Sequence, residues 1–173
     1  MANNKMQPSC RWAAHTLENQ SRQPADLCRY LAEAMHFVMQ RVETIADLNQ
    51  LRRQTFAVVF IWVDWAIHAH HSAHTAERMI TDWNLKHPSM TMVLSRIDLS
   101  EQCGEMWHAV AEWIRSQSIS DIGSLMYGGA GSIMWLRSGT IVRYVVNPNT
   151  ETVSDLVVLM TQCFSGPEPS NAK

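Results

Sequence analysis

The stretch from Phe56 to Trp83 constrains the fold more than any other part of the chain. Its first half, Phe56 to Val63, is an apolar run of strand length. It is rich in β-branched and aromatic residues, as a strand buried on both faces requires. Its second half has helical periodicity. Ala69, Ala73, Ala76, Ile80 and Trp83 recur at alternating spacings of four and three, so they form one stripe that can pack back onto a sheet. A buried strand running straight into an amphipathic helix is an α/β unit. In such units the chemistry sits at the carboxyl end of the strand, which here is the octet from Trp62 to Ala69.

Composition admits one domain and little else. The 173 residues are 46% hydrophobic and 17% charged, ordinary values for a globular chain able to bury a core. A formal net charge of -2 gives no basic excess for nucleic acid and no cationic cluster for an anionic membrane. The amino terminus lacks an apolar signal core, and no apolar run has the length of a membrane span. These features lead to the expectation of a cytoplasmic protein. Its four cysteines, Cys10, Cys28, Cys103 and Cys163, show no CxxC and no metal-ligand spacing, and are expected as reduced thiols.

The chain divides into four expected parts. Residues 1–23 are polar and without period, a loose segment. Over 24–54 a long amino-terminal helix is expected, opened by Pro24 and carrying Leu27, Leu31, Met35, Val38, Val42 and Ile45 on one stripe. Such a helix covers one face of the sheet or serves homodimerisation or docking. Residues 55–164 form the domain proper. A strand is expected over Met90 to Ile97. Next comes a helix begun by the Asp98 and Glu101 pair, burying Cys103, Trp107, Val110 and Ile114. A hairpin of Ile133 to Leu136 with Thr140 to Val146 precedes a last helix with Val153, Leu156, Val157 and Met160 inward. Residues 165–173, Pro- and Ser-bearing, read as a disordered tail.

The octet Trp62-Val63-Asp64-Trp65-Ala66-Ile67-His68-Ala69 resembles the active-site turn of thioredoxins, Trp-Ala-X-Trp-Cys-Gly-Pro-Cys. Both tryptophans fall in register. Downstream, Met90 to Asp98 resembles the next thioredoxin strand, and Gly129 to Gly139 resembles the family's Gly-Ile-Pro-Thr strand and its hairpin. The resemblance implies a three-layer α/β/α fold with a central mixed sheet. It also implies that Ala66 and Ala69 stand where the two redox cysteines belong. By the same register the family's buried acid falls at Phe60, its partnering lysine at Leu94 and its cis-proline at Gly131. Dithiol exchange needs a thiolate at the helix amino terminus and a second cysteine to resolve the mixed disulfide. Alanine supplies neither. The stretch from Asp98 to Gly131 is longer than the family needs and holds an insertion.

Three functions follow, in order of the assumptions they need. A redox-inactive thioredoxin-like module would receive a protein or peptide partner in a groove between Trp65, Ala66, Ile67, His68 and Ala69 on one side and Gly129, Ala130, Gly131 and Ser132 on the other. Such a module needs no cofactor. A metal site is the alternative. Four of the eight histidines fall between His68 and His74, and His70, His74 and Glu77 share one helical face. Two imidazoles and a carboxylate suit zinc or another divalent metal, for binding or for catalysis. The third reading is a thiol oxidoreductase working through Cys103 alone.

Overall fold

The computed structural model describes residues 39–101, 104–119, 121–127 and 131–165. The central strand, β2 (Phe56–Trp62), is buried at every position after Phe56. Six consecutive buried residues alternate between the two faces of a sheet, so both faces are covered. On one side β2 pairs in parallel with β3 (Leu94–Asp98), Trp62 opposite Asp98. On the other it pairs antiparallel with β4 (Ser132–Arg137), Phe60 opposite Ile133. The edges are β1 (Met39–Val42), parallel to β3, and β5 (Thr140–Val146), antiparallel to β4. The result is a mixed five-stranded sheet in the order β1-β3-β2-β4-β5.

Two helix layers sandwich it. The long helix α2 (Ile67–Lys86) buries Ala69, Ala73, Ala76, Ile80 and Trp83, the stripe read from the sequence. It packs on the carboxyl-terminal helix α5 (Val153–Ser165), whose Leu156, Val157, Met160 and Phe164 are buried. Trp83 meets Phe164 edge-on, their ring centroids 5.9 Å apart. On the opposite face lies α1 (Ile45–Leu51), as right-handed crossovers of opposite direction from β1 and β2 require, and α3 (Glu105–Ser116) meets its end. The Arg52 guanidinium at the end of α1 sits 5.7 Å from the Trp113 ring centre in α3. The β4–β5 hairpin turns through Ser138 and Gly139, both at positive φ, as a two-residue turn that matches strand twist demands. A side chain at Gly139 would run into the Arg52 carbonyl oxygen.

Three local expectations are corrected. The helix expected over 24–54 does not run through its second half. Residues 24–38 of it, like the loose segment 1–23, lie outside the described residues. Met39–Val42 is instead a strand, and a fresh helix starts at Ile45. The cause is a capping box: the Asp47 amide donates to Thr44 Oγ1 at 3.1 Å, and the Thr44 amide donates to Asp47 Oδ2 at 2.9 Å, fixing a helix start that breaks the apolar stripe. The strand expected from Met90 begins only at Leu94. Asn84 takes up both backbone groups of Met92, at 2.7 and 2.9 Å, and Trp83 Nε1 donates to the Met90 carbonyl at 2.9 Å, so this segment is bound to α2 and not to a ladder. The helix after β3 starts at Glu105 and not near Asp98. Asp98 spends its carboxylate on the amide and hydroxyl of Ser100, a local turn in place of a cap. The insertion contains a short helix, α4 (Ile122–Tyr127). Cys103 and the tail 166–173 lie outside the described residues.

Candidate functional site

The turn between β2 and α2 lies at the carboxyl ends of the parallel strands. Val63 is buried; the next residues are not. Asp64 and Trp65 emerge into solvent, Trp65 55% exposed, and Ile67 is 69% exposed. Ala66 is half-buried and caps α2 with an extended backbone and no side-chain hydrogen bond. Ala69 is fully buried, and its amide donates to the Ala66 carbonyl at 2.9 Å. Both alanines of the turn thus present methyl groups, one of them sealed in the core.

The turn is tied firmly to the end of β3. The Leu99 amide donates to the Trp62 carbonyl at 2.8 Å. The Asp64 amide donates to Ser100 Oγ at 2.7 Å, and Ser100 Oγ in turn donates to Asp98. Partial burial alone would raise the Asp98 pKa, but the hydroxyl and amide of Ser100 and the Arg96 guanidinium, 3.1 Å away, hold it below the ordinary carboxylate value. Arg96 also lies over the Trp62 ring, 4.1 Å from its centre, a cation–π contact against a buried aromatic.

On the facing side Gly131 adopts φ 75 and lies against α2: a Cβ there would be 3.1 Å from the Ser72 Cβ and 2.6 Å from Phe60 Cζ. Phe60 and Leu94 are fully buried. Ser132 points inward, its hydroxyl donating to the Leu125 carbonyl at 3.3 Å, and its side chain does not line the turn. Gly129 and Ala130 lie outside the described residues. A brace that the sequence did not reveal joins the two sides. From the 3₁₀ turn Pro148–Thr150, Asn149 Nδ2 donates to Ser72 Oγ at 2.8 Å and to the His68 carbonyl at 3.2 Å, while Thr75 Oγ1 donates to its Oδ1 at 3.1 Å.

The histidines do not converge. His70 sits edge-on against Trp62, ring centroids 4.4 Å apart, with Nε2 3.3 Å from the Asp64 carbonyl. A carbonyl only accepts, so Nε2 carries the hydrogen in that contact. His74 Nδ1 is 3.8 Å from Glu77 Oε2 on the exposed side of α2. Among the described residues no three His, Cys, Asp or Glu side chains are grouped to hold a metal ion. Cys163, the cysteine among the described residues, is half-buried on α5; desolvation raises its thiol pKa, against a smaller opposite pull from Arg143.

No family model and no curated protein matches this chain. Solved structures do. A proposed oxidoreductase with a thioredoxin fold aligns over 72% of this chain and 95% of its own, with a TM-score of 0.51 at 9% identity. The chain has a thioredoxin fold. Human ERp44 is similar over 72% of this chain and 29% of its own, at 16% identity and a TM-score of 0.49. Thioredoxin O2 from Arabidopsis thaliana, in its oxidised state, is similar over 73% and 95%, at 14% identity and 0.48. No helix among the described residues is long and apolar enough to cross a membrane.

Proposed function

We propose that this chain is a redox-inactive thioredoxin-fold module that binds an extended segment of a protein partner beside the β2–α2 turn. The observation that carries this reading is the pair Trp65 and Ile67. Two large apolar side chains, 55% and 69% exposed, stand on a turn that Ser100, His70, Leu99 and Arg96 hold in place by hydrogen bonds or stacking. Exposing them costs solvation free energy of roughly 1.5–3 kcal/mol per side chain relative to full burial, and a rigid apolar pair is what an interface anchor needs. The backbone around Gly131 would supply strand-like pairing with the bound segment. Ala66 and Ala69 supply no thiol, so affinity replaces exchange chemistry. The metal alternative has weaker support, because His70 is engaged with Trp62 and Asp64 and stands apart from His74 and Glu77.

The test is a random peptide library selected on the wild-type chain and counter-selected on a Trp65→Ala/Ile67→Ala double variant. Recovered peptides should lose about tenfold in affinity or more on the double variant, the range of a buried aromatic anchor, while its thermal unfolding stays within a few degrees of wild type. In parallel, wild-type protein with dithiothreitol should not accelerate insulin precipitation. Peptides indifferent to the double change, or measurable insulin reduction, would overturn the reading.

A further inference from the structure

The far edge of the sheet is the strongest remaining feature. β5 reads Thr-Ile-Val-Arg-Tyr-Val-Val, and its apolar residues Ile141, Val142, Tyr144, Val145 and Val146 are all partly exposed. Among the described residues it pairs on one side alone, with β4, and no helix covers it to a comparable extent. Its outward rungs can be assigned. The Asn147 amide donates to the Gly131 carbonyl at 3.0 Å, and the register continues through Val145 opposite Ile133 and Arg143 opposite Trp135. Bonded pairs recur at every second residue of an antiparallel ladder, so Tyr144 and Val146 turn their N–H and C=O groups to the open side. Nearer the hairpin, the Ile141 amide is taken up by Gln117 Oε1 at 3.4 Å, which closes that end.

We propose that the open edge of β5 docks an extended, acidic segment of a protein partner by strand addition, with a carboxylate across from Arg143 and β-branched or aromatic residues on either side. The charge selects the occupant. Arg143 is the one charged residue of the strand, it is exposed, and among the described residues no carboxylate pairs with it. Opposite charges directly across a strand pair attract, and like charges repel. Two copies of β5 paired antiparallel about Tyr144 would bring two Arg143 side chains onto one face within two residues of each other. A register shift at Trp135/Leu136 twists the strand further from self-pairing. Such an edge discourages its own copy and accepts a complementary strand. The site lies across β4 from β2, the strand that leads into the Trp65 turn.

The experiment titrates the full chain into fluorescein-labelled Thr-Val-Thr-Glu-Val-Thr-Val and its Glu-to-Lys counterpart, read by anisotropy, with amide shifts to locate the contact. The Glu peptide should bind, shifting Tyr144 and Val146, and the Lys peptide should bind about threefold to fivefold more weakly, the span of one cross-strand charge pair. Arg143→Glu should reverse that order. Tyr144→Pro removes an outward N–H without breaking the β4 ladder and should weaken the Glu peptide by about tenfold. If Tyr144→Pro does not fold, the reversal at exposed Arg143 decides. Equal binding of both peptides, binding of neither, or shifts confined to the Trp65 turn would overturn the proposal. So would self-association of the chain alone that Arg143→Glu or Tyr144→Pro abolishes, which would make a second copy the occupant.

Discussion

The Phe60 ring fills the space that a side chain on residue 131 would need: a Cβ built on Gly131 lies 2.6 Å from Phe60 Cζ and 2.9 Å from Phe60 Cε2. Each residue makes room for the other: the absence of a Cβ at Gly131 lets the Phe60 ring reach across the β2–β4 pair. Gly131→Ala should therefore destabilise the fold by about 1–3 kcal/mol, through overpacking and a positive φ that alanine resists. Phe60→Leu in the same chain should recover part of that loss, a coupling of about 0.5 kcal/mol or more. Urea unfolding of the two single variants and the double variant measures it; strictly additive losses would show that the two residues do not share the space.

Placing sulfur in the turn should not produce thioredoxin chemistry. In an Ala66→Cys/Ala69→Cys variant the second thiol enters a fully buried site, and Phe60 and Leu94, buried in the same core, have no titratable group to move its proton. Positioned acid–base groups contribute about 10²–10⁴-fold to such steps. Insulin reduction by this variant should run at least about a hundredfold slower than by a thioredoxin assayed alongside. A rate within about tenfold of the thioredoxin would mean that the alanines alone silence the site.

Asp98 gives the turn a pH dependence with a defined sign. Its carboxyl is held below the ordinary value by Ser100 and Arg96, although partial burial opposes them. The folded state thus binds the proton less readily than the unfolded chain does. The stabilisation from this group is complete above the unfolded carboxylate range and is lost as pH falls toward the lowered folded value. Asp98→Asn should cost stability at about pH 6 and cost progressively less toward about pH 3. Unfolding followed by tryptophan fluorescence at several pH values tests this; a wild-type-minus-variant difference independent of pH would contradict it. Asp47, lowered by its bonds to Thr44 and to the Thr44 and Glu43 amides, acts in the same direction in both proteins and cancels in the difference.

What the sequence revealed and what it hid divide along the range of the interactions. The β2–α2 unit was legible because its signals are local: an unbroken apolar strand and an alanine stripe with one period. Trp65 was legible as a surface tryptophan by its spacing from that strand. The Met39–Val42 strand was not, because a stripe at helical spacing runs through it and only the short capping box of Thr44 and Asp47 interrupts that stripe. Gly131 was found as a glycine-rich approach, but its packing on Phe60 depends on the antiparallel register of β2 and β4, which no local pattern encodes. Ser132 was read as groove-lining, whereas its hydroxyl is used by the Leu125 carbonyl in an insertion that gave no periodic signal. The histidines misled by spacing. A shared helical face makes His70, His74 and Glu77 neighbours in projection, and the ring of His70 turns back instead to Trp62 and Asp64.

Asn149 is the residue whose role was least visible in the sequence, and its loss should be felt at a distance. It stands in a 3₁₀ turn after β5, a position that reads as an ordinary Pro-Asn-Thr loop. Its amide nitrogen donates to Ser72 Oγ and the His68 carbonyl, and its oxygen accepts from Thr75 Oγ1. Three contacts along the first turns of α2 make it the clamp that holds the start of that helix, and with it Ile67, against the sheet. A hydrogen bond contributes about 0.5–1.5 kcal/mol net, and the clamp residues lie partly out of water. Asn149→Ala should therefore lower stability by about 1–3 kcal/mol. The more specific expectation is local. Amide hydrogen exchange should speed up from His68 to Thr75 more than in α3, because the helix start opens without global unfolding. If the turn at Trp65 binds peptide as a rigid anchor, the same variant should bind selected peptides more weakly while leaving Trp65 in place. Uniform acceleration of exchange across the domain would make Asn149 a general stabiliser and not a clamp on the turn.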